Sequence, residues 1–470
     1  MNFTSLAFFI FLPVVLLLYW LTPQRFRWIT ILISSYVFYC FTNIWLIFLI
    51  STTTLISYLS AILMEKVKKK KLVLILSLVI ILSLLFVFKY LDFTISTIGK
   101  IFSLFSLNLS INQLNIILPV GISFYTFQTI AYIVDVYKGK MAAEKHIGYY
   151  ASFVCYFPQL VAGPIEKACD LLPQLKEKHT INFADFAKGL RFVLSGFIKK
   201  ILIADFLTLY VNSIYGNLAS TSGFEILLAT FLFGIVIYCD FSGYSEIALG
   251  VSKWMGIDLS INFNRPYLSK SIKEFWNRWH ITLNNFFTEY IYIPLSGSKK
   301  GKFRKYINIF IVFLLSGLWH GASIHFVLWG ILLAFLMIIE DLISPLIEKI
   351  KINQNVKNVI SIIVTYILIN LSWIFFRAQS VAEIGTIFTK IFTDFAYISD
   401  SFFNNGFNIA LLLICLVILP MIYYLPEVTK DNKNNYQVIA IYFVLIVIVS
   451  MAYINNLNLV GESSFIYFEF

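Results

Sequence analysis

Two histidines carry the chemistry with most reach in this chain. His320 lies in LLSGLWHGASIHFVLWG (314–330), a stretch apolar enough to sit in a lipid bilayer, and His280 lies in EFWNRWHITLNNFF (274–287), in the longest polar interval. Imidazole titrates near neutral pH, so either ring can take a proton from an attacking hydroxyl and hand it to a leaving group, as an acyl transfer requires. Lipid offers ring nitrogens no partner, so a histidine at membrane depth is read first as a functional residue. Beside His320, the small residues Gly317, Gly321 and Ala322 flank Trp319 and allow close helix approach or a narrow channel. His325, five residues on, falls off the same helical face and reads as a spectator.

Around His280, Trp279, Asn277, Arg278 and Lys273 would line a cytoplasmic entrance, with Arg278 and neighbouring lysines available to the phosphates of an acyl donor. The same segment has a simpler reading. Phe275, Trp276, Trp279, Phe286, Phe287 and Tyr290 form an aromatic face suited to a helix lying in the membrane interface. Asp240 and Tyr244, with Glu246, close an apolar block in YCDFSGYSEIALG (238–250). They are placed either to orient a histidine or bind substrate, or to form a charged helix end at the interface. His146 and His179 stand beside lysines in polar loops and read as solvated side chains.

Other chemistries lack their devices. No H-E-x-x-H or carboxylate-paired histidine spacing suggests a metal site, and no Walker A loop, GxGxxG or G-x-S-x-G motif occurs. Cys40, Cys155, Cys169, Cys239 and Cys415 are scattered without a close pair and read as small apolar fillers.

The elements that hold these residues are membrane spans. The chain has 470 residues, of which 59% are hydrophobic and 18% aromatic. Soluble domains run at roughly 45–50% apolar, and the mean hydropathy of +0.82 comes from long apolar blocks. The net charge of +11 sits mainly in short loops between those blocks, which excludes nucleic acid as the natural partner and fits the positive-inside pattern of a lipid bilayer. A span needs about 20 apolar residues. Expected spans are 5–22, 28–43, 45–64, 72–90, 114–134, 201–215, 224–247, 306–320, 323–342, 357–376, 409–426 and 437–454. The first is read as a span rather than a signal peptide, because no basic n-region precedes it. Block 148–165 carries Pro158, Gly163 and Pro164 and reads as re-entrant or interfacial.

Alternating these spans places Arg25, Arg27, Lys66, Lys68 to Lys71, Lys138, Lys140, Lys145, the basic residues of 251–305, Lys349, Lys351, Lys430 and Lys433 on one side, the cytoplasm, and both termini outside. The fold class expected is an all-α polytopic membrane protein in a single domain, 1–470. It comprises N-terminal spans (1–250), a cytoplasmic and re-entrant segment with His280 (251–305), spans with His320 (306–345) and C-terminal spans (346–470). His280 is then expected at the cytoplasmic face and His320 deep in the membrane.

Several long motifs occur in an order that resembles the membrane-bound O-acyltransferase (MBOAT) family: PVGISFYTFQTIAYIVDVYKG (119–139), CYFPQLVAGPIE (155–166), DFSGYSEIALGVSKWMGI (240–257), INFNRPYLSKSIKEFWNRWHITLNNFFTEYIYIPLSGS (261–298) and GLWHGASIHFVLWG (317–330). The resemblance runs from the start to about residue 380. It is to the bacterial branch that serves alginate O-acetylation, peptidoglycan O-acetylation and teichoic-acid D-alanylation, with FWNRWHITL and GLWHG nearer the polysaccharide O-acetylating members. It implies a ring of about 11–12 transmembrane helices around a central funnel and pore in a bacterial cell membrane. His320 would be the catalytic residue and His280 a second functional one. No bound cofactor is implied. Acetyl-CoA is the expected acyl donor, a polysaccharide the acceptor, and an extracytoplasmic SGNH-type acetyltransferase the expected partner. The alternatives are D-alanyl transfer to teichoic acid and a non-enzymatic transporter of polymer or acyl carrier. A transporter built from repeats should show two similar halves, and the histidine segments have no counterpart in the first half.

Overall fold

A chain in hydrocarbon must satisfy its backbone polar groups internally, so long apolar runs resolve into helices. The structure, a computed structural model, describes residues 1–41, 43–106, 114, 116 and 118–395, and every regular element among these is helical. The N-terminal part comprises α1 (Leu6–Leu21), α2 (Arg27–Tyr39), α3 (Leu46–Lys66), α4 (Lys70–Leu85), α5 (Leu91–Leu104) and α6 (Ile122–Tyr137). Helices α4 and α5 join through a π-helical turn, Phe86–Tyr90, into one rod spanning Lys70–Ser103. Leu6, Ile10, Leu17 and Leu21 of α1 are exposed while Phe8, Leu12, Val15 and Tyr19 are buried, so the helix turns one apolar face to lipid and the other to the core.

Block 148–165 is a broken, buried element, as its prolines and glycine imply. Helix α7 (Ile147–Cys155) ends at Tyr156, a single turn α8 (Phe157–Leu160) follows, and α9 (Ala168–Lys176) begins after an irregular stretch. The interrupted backbone finds side-chain partners. Gln128 and Gln159 donate to the Phe153 carbonyl at 3.0 and 3.1 Å, and the Phe157 amide donates to Ser35 Oγ at 3.1 Å. Irregular backbone at membrane depth survives only with such replacements.

Helix α10 (Phe183–Phe197) runs through a π-helical segment, Ile198–Asp205, into α11 (Phe206–Tyr215). It crosses the central helix α12 (Gly223–Trp254), whose start is closed by a Ser222/Glu225 capping box. At the crossing, Gly189 faces Gly250 and Gly196 faces Gly243. A methyl group on Gly250 would stand 2.5 Å from the Gly189 carbonyl oxygen, and one on Gly243 2.8 Å from that of Gly196. Small residues here let two backbones touch.

The polar interval then folds into α13 (Ile272–Arg278) and α14 (Ile281–Phe287), followed by α15 (Lys302–His320), α16 (Ile324–Glu348), α17 (Gln354–Arg377) and α18 (Val381–Thr393). The expected spans within the described residues fall on helices, except that 114–134 is helical only from Ile122 onward. Spans 409–426 and 437–454, with Cys415, Lys430 and Lys433, lie outside the described residues. Five helices are long and apolar enough to cross a membrane: Leu46–Lys66, Lys70–Ser103, Gly223–Trp254, Ile324–Glu348 and Gln354–Arg377. The chain is a multi-pass membrane protein.

The aromatic face of 271–295 corrects the interfacial reading. Phe275, Trp276, Trp279, Phe286 and Phe287 are all buried. Trp276 meets Phe313 and Trp329, Trp279 meets Trp373, and Phe286 stacks on Phe127 at 4.2 Å. Surrounding helices supply apolar partners on all sides, so the rings enter the core instead of the headgroup layer.

Candidate active site

Helix α15 delivers His320 as its last residue, and α16 turns back immediately after it. The hairpin closes because its contact residues are small. A methyl on Gly317 would lie 2.3 Å from the Phe326 carbonyl oxygen, and one on Gly321 2.1 Å from the Phe326 ring. Nineteen residues from Lys302 at about 1.5 Å each put His320 roughly 28 Å from the basic end of α15, as expected for a histidine far along its span.

His320 is 4% exposed and boxed by rings. Trp319 lies edge-on at 4.8 Å, Trp329 at 5.0 Å and Phe376 at 5.3 Å. His280 is 1% exposed and rests on Phe241 at 4.7 Å, Phe124 at 6.2 Å and Trp319 at 5.9 Å. The expectation that His280 stands apart from His320 is therefore corrected: both imidazoles contact the same indole, Trp319. Segment 271–295 turns inward between α13 and α14, and its break carries His280 into the core.

That break is held from outside the segment. His280 has left-handed backbone angles, φ 44 and ψ 54, which cost a residue with a Cβ about 1–2 kcal/mol. On its two sides the Ile281 amide donates to the Asn262 carbonyl and the Asn264 amide to the Arg278 carbonyl, both at 2.9 Å. Thr282 Oγ1 donates to Asn262 Oδ1 at 2.7 Å and accepts from the Ile165 amide at 3.0 Å. A strained backbone persists where its surroundings over-determine it, typically at functional sites.

The remaining expected residues take varied places. Trp279 packs within the ring cluster of Phe263, Phe275 and Trp373. Asn277 is exposed and accepts from Asn284 Nδ2 at 3.3 Å. Arg278 pairs with Glu274 at 2.6 Å on the same turn. Asp240 is buried in an ion pair with Lys200 at 2.7 Å, and Tyr244 stacks on Phe3 at 4.5 Å. His325 Nδ1 meets the Phe375 carbonyl at 3.0 Å, which ties α16 to α17. His146 caps α7, and His179 Nε2 meets the Gln174 carbonyl at 2.6 Å.

A narrow cleft, with room for about 20 Å³ of water-sized centres, opens beside His320. Trp319, Ser123, Phe124, Gly121 and Lys89 share its lining. Lys89 escaped the sequence reading. Its signal was present: one charged residue in SLLFVFKYL, inside an apolar run where an ionisable group marks function. Its ammonium donates to Ser123 Oγ at 3.2 Å and to the Trp319 carbonyl, and lies 5.8 Å from the Trp319 ring centre. Tyr90 donates to the Leu318 carbonyl at 2.9 Å. The two side chains of the π-helical turn thus satisfy carbonyls at the end of α15, which would otherwise be orphans. Among the described residues no group of three or more metal-ligating side chains gathers. The arrangement supplies proton-accepting rings, a nearby cation and a small, part-open cleft with polar and apolar walls.

The sequence profile of the "MBOAT, membrane-bound O-acyltransferase family" matches residues 142–378. A protein of Pseudomonas aeruginosa named "Probable alginate O-acetylase AlgI" is 35% identical over 84% of this chain and 75% of its own length. A "Peptidoglycan O-acetyltransferase" of Helicobacter pylori is 33% identical over 80% of this chain and 77% of its own. A "Teichoic acid D-alanyltransferase" of Bacillus subtilis is 30% identical over 50% of this chain and 62% of its own.

Proposed function

The chain belongs to the membrane-bound O-acyltransferase family, and from that premise we propose that it O-acetylates a cell-surface or secreted polysaccharide, moving the acetyl group from a cytoplasmic thioester donor across a bacterial plasma membrane. The carrying observation is the Trp319 ring, which meets the imidazole of His280 at 5.9 Å and that of His320 at 4.8 Å beside a narrow cleft lined by Lys89, Ser123 and His320. Acetyl-CoA is the proposed donor. D-alanyl transfer is the poorer fit, because the relative of that name matches only half of this chain.

In this reading His320 removes the proton from the acceptor hydroxyl as its oxygen attacks the acyl carbonyl, or carries the acyl group briefly on its own ring nitrogen. His280 meets the same indole and serves the donor side of the transfer. Trp319, Trp329 and Phe376 fix the His320 ring and exclude water that would hydrolyse the thioester. Gly321 leaves the space that the turn after His320 needs. Trp279 supports the break at His280 by packing. The final acceptor is reached through an extracytoplasmic SGNH-type transferase. Asn277 and Arg278, on the outward side of α13, are assigned to the donor entrance, and Asp240 and Tyr244 to holding α12 in register.

The test is cell-surface O-acetyl content in a strain lacking the native gene and supplied with His320→Ala or His280→Ala protein at equal membrane levels. Loss of about 100-fold or more is expected for His320→Ala and at least about 10-fold for His280→Ala. Full O-acetylation by both variants would overturn the assignment.

A further inference from the structure

Lys89 is a half-buried cation to which proton transfer by His320 gives no part. Its surroundings are unusual for a lysine inside a membrane rod. The ammonium touches a hydroxyl, a carbonyl and the face of an indole, yet among the described residues no carboxylate lies within ion-pair distance of it. The other lysines carried by core helices behave differently: Lys199 pairs with Glu246, and Lys200 with Asp205 and Asp240. A charge partly withdrawn from water gains from a counter-charge, and at Lys89 the fold supplies only dipoles. The cavity it lines also holds His320. A second donor faces the same shortage: Trp319 is 4% exposed, and its Nε1–H has no acceptor among the described residues.

We propose that Lys89 is a further catalytic residue, whose ammonium, with the Trp319 indole N–H, stabilises the oxyanion that forms on the acyl carbonyl during transfer. The proposal rests on the reading of His320 given above. The acceptor hydroxyl loses its proton to the His320 imidazole while its oxygen bonds to the carbonyl carbon of a thioester. The carbonyl electron pair moves onto oxygen, and that negative charge is the missing partner of Lys89. As the tetrahedral species collapses the C=O bond reforms, the C–S bond breaks, and the departing sulfur takes the proton from the imidazolium. Donors that wait for a charge present only in the transition state act on kcat rather than on ground-state binding. The π-helical turn fits this task, since it fixes Lys89 from a rigid rod while Tyr90 locks the adjoining helix end.

The experiment uses membrane vesicles from cells expressing the full chain with its native partners, supplied with labelled acetyl-CoA. It compares wild type with Lys89→Met, Lys89→Arg, Ser123→Ala and His320→Ala at equal membrane levels. Lys89→Met is expected to lose about 100-fold in kcat with KM changed by no more than about twofold, and Lys89→Arg to recover at least about a tenth of wild-type kcat. Ser123→Ala, which keeps the cation but loosens it, is expected to fall less, by about 3- to 10-fold. A Lys89→Met protein with wild-type kcat overturns the proposal while inactivity of His320→Ala leaves the parent reading standing. A raised KM at unchanged kcat also overturns it, because the cation then binds an anionic ground state. Full activity of His320→Ala overturns the parent reading and this proposal together. Loss in Lys89→Met that Lys89→Arg does not relieve, with both proteins less heat-stable than wild type, assigns Lys89 to the α15 helix end alone and overturns its role in the chemistry.

Discussion

Trp319 ties the site together at the scale of single residues, since it touches both histidines and carries the carbonyl that Lys89 holds. The histidines themselves were legible in the sequence, because a polar ring in an apolar run stands out by type alone. Lys89 was not read, although the same logic applies to it; near the end of an apolar block a lysine also suits a snorkelling side chain, and only the contact with Trp319 separates the two. Asn262 was beyond the sequence, because its role depends on a segment twenty residues away meeting it in space. A Trp319→Leu variant should keep the apolar volume but lose both ring contacts, and acyl transfer should fall by about 10- to 100-fold in the vesicle assay. Glu166, outside the spans, gives a pH signature. Burial pushes its carboxyl up to about 7 from 4.5, against hydrogen bonds from the Ser260 amide and hydroxyl. A carboxyl whose folded pKa is raised contributes stability fully below pH 4.5, and that contribution is lost as pH rises toward 7. Thermal midpoints of the purified protein should therefore fall across that window. In Glu166→Gln the fall should flatten; an unchanged slope would remove Glu166 as its source.

At the scale of elements, apolar length alone gave the helices, and proline with glycine gave the break in 148–165. Segment 271–295 misled for a physical reason. Its aromatic and basic residues have the same composition whether the rings meet headgroups or neighbouring helices, and hydropathy cannot tell these apart. Nor does composition reveal a left-handed residue that is not glycine. Thr282→Val should strand the Ile165 amide and Asn262 Oδ1 at the base of the His280 turn. A cost of about 1–3 kcal/mol is expected, read by denaturation in detergent together with reduced transfer. At the α10–α12 crossing, Gly243→Val should lower the yield of folded protein sharply. Gly385→Ala, where a methyl meets nothing within 4 Å, should be neutral or stabilising by up to about 1 kcal/mol. Equal yields from both variants would show that the two backbones do not need to touch.

For the whole molecule, the charge parity of the loops predicts sidedness. On a cysteine-free background, Ser220→Cys should react with a membrane-impermeant maleimide on intact cells, whereas Lys68→Cys should react only after permeabilisation. The opposite pattern would invert the topology and the direction of acyl movement with it. The family and its reaction class were legible because several motifs stand in fixed order; the meeting of the two histidines was not, since loop charge locates chain ends and says nothing of a segment that dips inward. The left-handed turn at His280 also bears on how this enzyme can be improved. Only glycine adopts those angles freely, so His280→Gly should relieve about 1 kcal/mol of backbone strain but empty the space the imidazole fills against Phe241, Phe124 and Trp319, a loss of about 2–5 kcal/mol. Selection for heat resistance alone would then keep the ring and its strained turn together, so the fold guards this histidine for its bulk as well as for its chemistry.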